Sequence, residues 1–520
     1  MLYTTLSHYL MSYIKRIKFM KIFDTIIIGG GLGGLTAGAK LAKEGKKVCL
    51  IEQHSIVGGC ATTFRRKDFI VEVGLHEMDG LDEDDLKVKV FKELDVFKNI
   101  ELIKVPEFYR FKHGETDIVI PDNKDEAIRL LIEKFPNEKR GIKKFFKKIF
   151  AIRNEINRLL SKKWQMFILF PVFPLLFPNL SFSSRQNLGD FLDKIIKDEE
   201  LKLVLQANLS YYHDDPYSMS LIYFSAGQTS FFAGGGYFIK GGSGQLSNYL
   251  AQIITDNNGE ILLGSQVEKI VIKDSKAVGV EYGKRDGKDK ATHQLFAKTI
   301  IANTAIPNVV ELLPNEYQEL LRKKVEKLKI SSSILSVYIG FKKEVKDLGN
   351  NHYSTFIFDD KIKQLADVYS KNSIDKFVFL DYSQIDSGLA PKGKSLGVIC
   401  TPDYIENWED LDKKEYKSKK EEVGKILIQK LEEKIPNITN EIEYLEVATP
   451  KTIKRYTLNT EGTAYGYAQI PNQSGIGRLP NKSPVKNLYF ASAWVNPGGG
   501  FTGAILSGWF CANEVLRNRG

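Results

Sequence analysis

The stretch Asp24-Thr-Ile-Ile-Ile28 runs directly into Gly29-Gly-Gly-Leu-Gly-Gly34, and these eleven residues decide the fold. The first five are a short, largely β-branched run, which is typical of a buried parallel strand. The sequence predicts a helix over Leu35 to Glu44, ended by Gly45, and a second strand over Lys47 to Glu52. A strand, a helix and a strand within about thirty residues form the repeating unit of a parallel sheet.

The glycines between the first strand and the helix have the spacing of a dinucleotide-binding loop. Gly29 permits the tight turn, Gly31 lets the backbone approach a pyrophosphate, and Gly33 and Gly34 open the helix, where Gly34 allows close packing on the strand. The helix N-terminus adds free N–H groups and a partial positive charge. Glu52 ends the second strand, where a carboxylate binds the hydroxyls of an unphosphorylated ribose. This unit predicts a bound dinucleotide.

A second glycine loop favours FAD over NAD. Gly58-Gly59-Cys-Ala-Thr-Thr-Phe64 and then Arg65-Arg66 follow six residues after Glu52, where an NAD-binding domain would continue into further strands and helices. This pattern resembles the FAD-binding amine-oxidase and carotenoid-desaturase superfamily, in which the loop wraps the diphosphate of the cofactor. The resemblance implies that Gly58, Gly59 and Arg65 bind FAD.

The C-terminal end repeats the order of strand, glycines and helix. A strand is predicted over Leu488 to Ser492, followed by Pro497-Gly-Gly-Gly500 and a helix of small residues from Thr502. In the resembled superfamily the N-terminus of this helix points at the pyrimidine end of the flavin, where its dipole would stabilise the anionic reduced form. We therefore expect Gly499, Gly500 and Thr502 to contact FAD.

Two internal blocks narrow the resemblance. Gly234 to Leu246 with Gly259 to Ile270, and Thr449-Pro450 with Ala464-Tyr465-Gly466, are similar to blocks of phytoene desaturases, carotenoid isomerases and retinol saturases. The similarity covers nearly the whole chain from Lys21 onward. It implies that the backbone of Val267 contacts the adenine. It also implies FAD-dependent desaturation or saturation of carbon–carbon bonds in a long apolar polyene, a carotenoid or a retinoid.

Three residues are candidates for the reacting part of the site. The stretch Phe69 to His76 passes in front of the flavin ring in the resembled proteins, and Glu72 and His76 are its first ionisable groups. A histidine exchanges protons near neutral pH. Tyr465 is the third candidate, because its block would face the substrate. For each residue the alternative is ordinary packing, which is the favoured interpretation for the cluster Tyr211-Tyr-His213.

Other chemistries are not indicated by the sequence. The seven histidines are scattered without metal-ligand spacing, and no GxSxG nucleophile motif is present. We therefore expect no metal and assign the redox chemistry to the flavin. Two alternatives remain open: a polyene cis–trans isomerase without net redox change, and a lipid-binding relative that has lost the cofactor.

Composition bears on location and partners. Four cysteines without a CxxC pair argue against a disulfide framework and favour the reducing cytoplasm. The net charge of +10 comes without a nucleic-acid-binding motif, so no nucleic acid is expected. Residues 1–19 lack the long apolar core of a signal peptide, and we interpret them as an extension or a misplaced start.

The segment 135–182 is predicted to touch a membrane surface. Its first half combines apolar residues at helical spacing with a run of lysines, and its second half, Trp164 to Pro178, is apolar but interrupted by three prolines. Prolines make a regular span unlikely, whereas a basic amphipathic helix beside an apolar loop matches a peripheral anchor. The alternative is internal packing of the helix.

The predicted architecture is an α/β fold in two parts. Residues 21–92, 236–312 and 483–520 would form a discontinuous, Rossmann-type FAD-binding domain of the amine-oxidase and glutathione-reductase kind. Residues 93–235 and 313–482 would form an α+β substrate domain.

Overall fold

The computed structural model describes residues 22–161, 172–285, 292–371 and 374–518. Its strands are β1 (Ile22–Ile28), β2 (Val48–Ile51), β3 (Thr63–Arg66), β4 (Phe69–Glu72), β5 (Met78–Asp79), β6 (Leu102–Lys104), β7 (Tyr109–His113), β8 (Thr116–Ile120), β9 (Gly236–Ile239), β10 (Glu260–Leu262), β11 (Ser265–Lys273), β12 (Lys276–Lys284), β13 (His293–Ala302), β14 (Ser333–Phe341), β15 (Ser354–Phe358), β16 (Lys376–Asp381), β17 (Ser395–Asp403), β18 (Ile442–Ala448) and β19 (Leu488–Phe490).

Among the described residues, seven α-helices follow one another between β8 and β9, and the others are interspersed with the strands. They are α1 (Leu32–Lys43), α2 (Leu86–Glu93), α3 (Val96–Asn99), α4 (Lys124–Lys134), α5 (Lys139–Ser161), α6 (Phe173–Leu176), α7 (Pro178–Ser183), α8 (Leu188–Ile195), α9 (Glu199–Leu205), α10 (Leu221–Gly234), α11 (Gly244–Asp256), α12 (Ile306–Leu312), α13 (Asn315–Val325), α14 (Lys413–Glu432), α15 (Pro450–Thr457) and α16 (Phe501–Arg517).

The first sheet has the order β10-β2-β1-β13-β12-β11, and β19 pairs with β13. Strand β1 is central and parallel to both neighbours, with Thr25 opposite Val48 on one side and Thr299 on the other. Apart from Ile22 at its exposed start, the apolar side chains of β1 are buried on both faces, as the continuous apolar run requires. The sheet joins strands from the beginning, the middle and the end of the chain, which confirms the predicted Rossmann-type α/β fold.

Helix α1 begins three residues earlier than predicted. The sequence predicted a start at Leu35, after the glycines, whereas the structure starts the helix at Leu32 and places Gly33 and Gly34 in its first turn. The reason is steric, because α1 packs against α16 and α11, and its first turn approaches neighbouring backbone too closely for side chains. Packing therefore overrides the low intrinsic helix propensity of glycine.

The second sheet has the order β18-β14-β17-β16-β15-β7-β8. Strand β17 is buried along its whole length, because α14 packs an apolar stripe on one face and side chains of the main core pack on the other. The strands of this sheet lie between Tyr109 and Ala448, inside the segments predicted for a substrate domain. The division into two domains stays a prediction.

Helix α5 corrects part of the membrane prediction. Its apolar side chains Ile142, Phe145, Phe146 and Ile149 are fully buried in the main core, where the helix packs against α10. The alternative of internal packing therefore holds for this helix, whose apolar pattern is satisfied inside the protein. Residues 162–171 of the following apolar run lie outside the described residues.

Some apolar side chains after α5 remain in contact with solvent. Leu175 in α6 is 82% exposed and Phe182 in α7 is 74% exposed. Among the described residues, no helix has the length and apolar content that crossing a membrane requires. These exposed apolar side chains form the candidate surface for contact with a membrane.

Candidate active site

A cavity of about 1160 Å³ extends from the carboxyl end of β1 to the second sheet. Ligand pockets commonly measure about 300–1,000 Å³, so this cavity has room for a dinucleotide and part of a second ligand. Most of the predicted cofactor-binding residues line it, namely Gly29, Gly31, Gly33, Glu52, Gly58, Gly59, Val267, Gly499, Gly500 and Thr502. Gly34 and Arg65 are not among the lining residues.

The first glycine loop packs against Asn303, which directly follows β13. The Asn303 side-chain amide donates a hydrogen bond to the Gly29 carbonyl at 3.1 Å, and a Cβ on Gly31 would lie 2.9 Å from that amide nitrogen. Gly34 lies behind the loop, where a Cβ would meet the Gly29 carbonyl oxygen at 2.4 Å. The loop thus presents bare backbone to the cavity, as a pyrophosphate requires.

Glu52 is held by backbone donors at the end of β2. One carboxylate oxygen accepts the Gly30 N–H at 2.6 Å and the other accepts the His54 N–H at 2.7 Å. A carboxylate has about four acceptor positions, so each oxygen can still accept a ribose hydroxyl. The residue lines the cavity and therefore fits the predicted contact with the adenosine ribose.

The part of the cavity predicted to take the adenine is lined by β11 and by residues at and after the C-terminal end of α15. Val267 is buried at a bulge of β11, where the pairing with β12 is irregular. Across the cavity, Tyr456 makes an edge contact with the His54 ring at 5.7 Å between centroids, and the Asn308 side-chain amide donates to the Leu458 carbonyl at 2.7 Å. The residues that make these two contacts line the same cavity as Val267.

The C-terminal glycine loop places the start of α16 at the cavity. Gly498, Gly499 and Gly500 all have positive φ, and the helix N-terminus carries no side-chain cap. Its first N–H groups are therefore available to a ligand. The Thr502 hydroxyl is already occupied, since it contacts the Asp79 carboxylate and the Lys87 ammonium, so only its backbone is open to the cofactor.

The two arginines after the second glycine loop lie in β3 and point to opposite faces of it. Successive side chains of β3 point to opposite faces, so Phe64 and Arg66 line the cavity while Arg65 faces away. The Arg66 guanidinium lies over the Phe64 ring at 4.6 Å and pairs with Glu446 at 3.0 Å. The prediction for Arg65 is thus corrected, because Arg66 is the member of the pair that reaches the cavity.

Glu72 lies behind the cavity wall. Its buried carboxylate accepts the backbone N–H groups of Gly74, Leu75 and Ser243 and the Ser243 hydroxyl. The distances run from 2.6 to 3.1 Å. With these oxygens engaged and none facing the cavity, the prediction of a reactive Glu72 is replaced by a structural one: Glu72 ties the chain after β4 to the start of α11.

His76 does reach the cavity. Its ring lies 5.5 Å from the Tyr211 ring, centroid to centroid. Burial lowers the pKa of His76 from 6.5 to about 4, so the imidazole is uncharged at neutral pH and can accept a proton but has no excess proton to give.

The tyrosines around His76 form the far wall. Tyr465 lines the cavity and donates its hydroxyl to the Ser210 carbonyl at 3.1 Å, so its ring faces the cavity while its hydroxyl is engaged. Tyr211 and Tyr212 line the cavity as well, although packing was the favoured interpretation for them. His213 lies outside the lining and is hydrogen-bonded to Ser218 at 2.8 Å.

Sequence reasoning missed two residues. Asn303 follows a parallel strand as a polar residue at its carboxyl end, which is a signal that could have been used. Glu77 adjoins His76 in sequence and lines the same wall, but only the first ionisable groups of that stretch were singled out. Within the described ranges, no group of three or more histidine, cysteine or acidic residues could hold a metal ion.

The fold and the site together define an FAD-binding oxidoreductase: a Rossmann-type unit, a ribose-binding carboxylate and a C-terminal helix directed at the same cavity. The chain belongs to the flavin containing amine oxidoreductase family, which matches residues 32–516. It is therefore an FAD-dependent enzyme whose cofactor supplies two-electron transfer, and the residues above fit that cofactor.

Relatives place the chain in the carotenoid and retinoid branch of this family. It is 32% identical to the chloroplastic prolycopene isomerase of Arabidopsis thaliana, over 97% of this chain and 84% of that protein. It is 26% identical to the all-trans-retinol 13,14-reductase of Danio rerio, over 95% and 86%. The solved structure of putrescine oxidase with putrescine has a TM-score of 0.64 at 13% identity, over 96% and 100%, and shows the fold alone.

Proposed function

We propose that this enzyme acts on carbon–carbon bonds of a long apolar polyene, a carotenoid or a retinoid, by saturation or desaturation. The observation that carries the proposal is a single cavity that joins the dinucleotide loops to a wall of apolar and aromatic side chains, among them Met78, Phe231, Ile334, Tyr338 and Tyr465. Such a wall binds hydrocarbon by burial and aromatic contact. Relatives named for a carotenoid and for a retinoid support the substrate class.

In this proposal each part of the wall has a task. The glycine loops and Glu52 hold the pyrophosphate and ribose, Val267 contacts the adenine, and the N-terminus of α16 favours negative charge at the flavin ring. The Tyr465 ring bounds the substrate, and uncharged His76 accepts a proton when a C–H bond is broken. Closely packed apolar side chains around them exclude water.

Isomerisation of a polyene double bond without net redox change is the second candidate. It is favoured by the identity of 30–32% to several prolycopene isomerases, against 26% to the retinol reductase of Danio rerio. A lipid-binding protein without cofactor is the weaker candidate, because Glu52 and the bare glycine loops retain the geometry that only a dinucleotide needs.

Product analysis distinguishes these candidates. Purified flavin-containing protein is incubated with phytoene, prolycopene and retinol in detergent, with and without a reductant. The products are separated by chromatography and their molecular masses are measured by mass spectrometry. A mass change of two hydrogens identifies saturation or desaturation, and a new isomer of unchanged mass identifies isomerisation. Flavin-containing protein that converts none of the three would contradict the proposal.

We also propose a peripheral membrane contact through the exposed side chains of α6 and α7. Helix α7 is attached to α5, since Glu155 of α5 accepts the N–H groups of Asn179 and Leu180 at 3.1 and 2.8 Å. The next residues of α5, Ile156 and Asn157, line the cavity. The exposed apolar surface therefore lies beside one end of the cavity, where a water-insoluble substrate would pass. The four free cysteines support a cytoplasmic location.

A further inference from the structure

Glu77 occupies an unusual position on the cavity wall. Its side chain is only 8% exposed, and among the described residues neither carboxyl oxygen has a hydrogen-bond partner of good geometry. The backbone of β9 closes the space behind it, since a Cβ on Gly236 would lie 2.7 Å from one oxygen. A buried, unpaired carboxyl group is costly in its charged form and much less so in its neutral form.

The surroundings of Glu77 favour the protonated form of its carboxyl group. Burial raises its pKa well above the ordinary value, the nearby Tyr211 hydroxyl lowers it, and the Glu107 carboxylate raises it further. Its sequence neighbour His76 is uncharged, because burial lowers the pKa of His76 to about 4. Within the described part of the chain no cation offsets the burial of Glu77, so burial favours the neutral, protonated form of this carboxyl group.

Most of the other polar groups on this wall are already engaged, although the Tyr211 and Tyr212 hydroxyls, like Glu77, have no hydrogen-bond partner of good geometry among the described residues. Asp79 and Asp85 surround Lys87, which is 0% exposed, at 3.1 and 3.7 Å. The hydroxyls of Tyr465, Tyr338 and Tyr223 each donate to a backbone carbonyl, at 3.1, 2.9 and 2.7 Å. Glu77 is thus the carboxyl group of this wall that has, among the described residues, no hydrogen-bond partner of good geometry and whose burial favours the protonated form.

We propose that Glu77 is the residue that gives a proton to the bound polyene and takes it back, with Tyr211 as a positioning residue. The assignment rests on the proposed function. The O–H bond of Glu77 breaks as the π electrons of one C=C bond form a C–H bond, which leaves a cation delocalised along the conjugated chain. Rotation about the weakened bond follows, and loss of a proton from the same carbon to the Glu77 carboxylate restores the double bond.

This cycle consumes no electrons and needs no oxidant, so it accounts for isomerisation directly. Saturation of the same bond requires two electrons and two protons in total, and it too needs a proton donor beside the bond. Glu77 therefore serves either candidate reaction. The apolar wall favours a delocalised cation over a localised one.

The test compares Glu77→Gln, which keeps the shape but has no acidic proton, with Glu115→Gln, a matched change of an exposed glutamate in the turn between β7 and β8, outside the cavity. Infrared spectra of the flavin-containing proteins at pH 7 report the carbonyl stretch of a protonated carboxyl group. Incubation with polyene in D₂O reports deuterium bound to carbon in the product. We expect Glu77→Gln to lose one protonated-carboxyl band and to lower deuterium incorporation and turnover by about 10²–10⁴-fold, while Glu115→Gln resembles the wild type.

The outcomes distinguish a failure of the role assigned to Glu77 from a failure of the proposed reaction with a polyene. Wild-type protein that converts polyene, with Glu77→Gln equally active or with no band missing from its spectrum, overturns the role of Glu77 and leaves the polyene reaction standing. Wild-type protein that converts no polyene overturns both. If Glu77→Gln does not retain flavin, Glu77→Asp decides: we expect reduced but measurable deuterium incorporation, and full wild-type incorporation in Glu77→Ala contradicts the assignment.

Discussion

Asn303 explains at the scale of single residues why the first loop consists of glycine. Its side chain fills the space that side chains on Gly31, Gly33 and Gly34 would occupy, with contacts of 2.9 to 3.0 Å to an added Cβ. Its amide also holds the Gly29 carbonyl. The loop is therefore shaped by tertiary packing on one side and reserved for the pyrophosphate on the other.

Gly31→Val separates cofactor binding from folding. The nearest atom to an added Cβ is the tip of the Asn303 side chain, which can move, so we expect a folded protein whose loop no longer admits the pyrophosphate. The measurement is the flavin content of purified protein by absorption, with circular dichroism to check the fold. Gly45→Ala is the control: its φ of +74° makes the substitution cost some stability, but an added Cβ meets no atom within 4 Å and the residue does not line the cavity, so the protein should keep its flavin. Full flavin occupancy in Gly31→Val would contradict the site.

His76 predicts a dependence of stability on pH. The unfolded residue binds a proton below its ordinary pKa of 6.5, whereas burial lowers the pKa in the folded protein to about 4. The unfolded state thus binds more protons between these values, so stability is lost as the pH falls through this window. From pH 7 to pH 5 the loss is about 2 kcal/mol, and His76→Gln should lack it. Urea unfolding of both proteins with excess FAD measures the difference, and equal losses would show that His76 is not buried uncharged.

Residue types and spacing predicted the cofactor side of the site, but not which of two neighbours faces the cavity. Arg65 and Arg66 are adjacent and chemically alike, and only the direction of β3 selects Arg66. Glu72 and Glu77 are both buried acids near His76, and only their hydrogen-bond partners distinguish a fastened carboxylate from an unpaired one. Partners distant in sequence cannot be read from a local motif.

At the scale of elements, α5 shows why an amphipathic pattern is ambiguous. A stripe of apolar side chains at helical spacing is needed equally for a membrane surface and for a protein core. Here Phe145, Phe146 and Ile149 pack against α10, and the lysines form the solvated face. The sequence predicted a helix and its buried face, while the surface that buries this face depends on helices more than fifty residues away.

The exposed side chains of α6 and α7 carry the remaining prediction about membranes. Leu175→Asp with Phe182→Asp should weaken binding to liposomes by about tenfold or more, and equally at high salt, because the change removes apolar contact and not charge. Co-sedimentation with liposomes measures it. Leu320→Asp, a half-exposed leucine of α13, is the control and should bind as the wild type does. Wild-type protein that stays in the supernatant would show that this surface does not meet lipid.

At the scale of the whole molecule, one cavity is assembled from segments spread over nearly the whole chain. Gly29 and Gly499 lie 470 residues apart in sequence and line the same space, and β1 and β19 flank the same strand β13. The sequence predicted this closure because both ends carry a strand, glycines and a helix. It did not predict the shape of the far wall, since Tyr211, Phe231 and Tyr338 come from elements without any motif.

The measurement that tests the account most directly is the fluorescence of the bound flavin during titration with a polyene. A single cavity places the polyene beside the flavin, so we expect saturable quenching when prolycopene or retinol in detergent is added to purified protein. Free FAD with the same additions corrects for absorption by the polyene. Flavin fluorescence that matches the free-FAD control at every concentration, in protein with full flavin occupancy, would contradict a shared cavity and with it the proposed reaction.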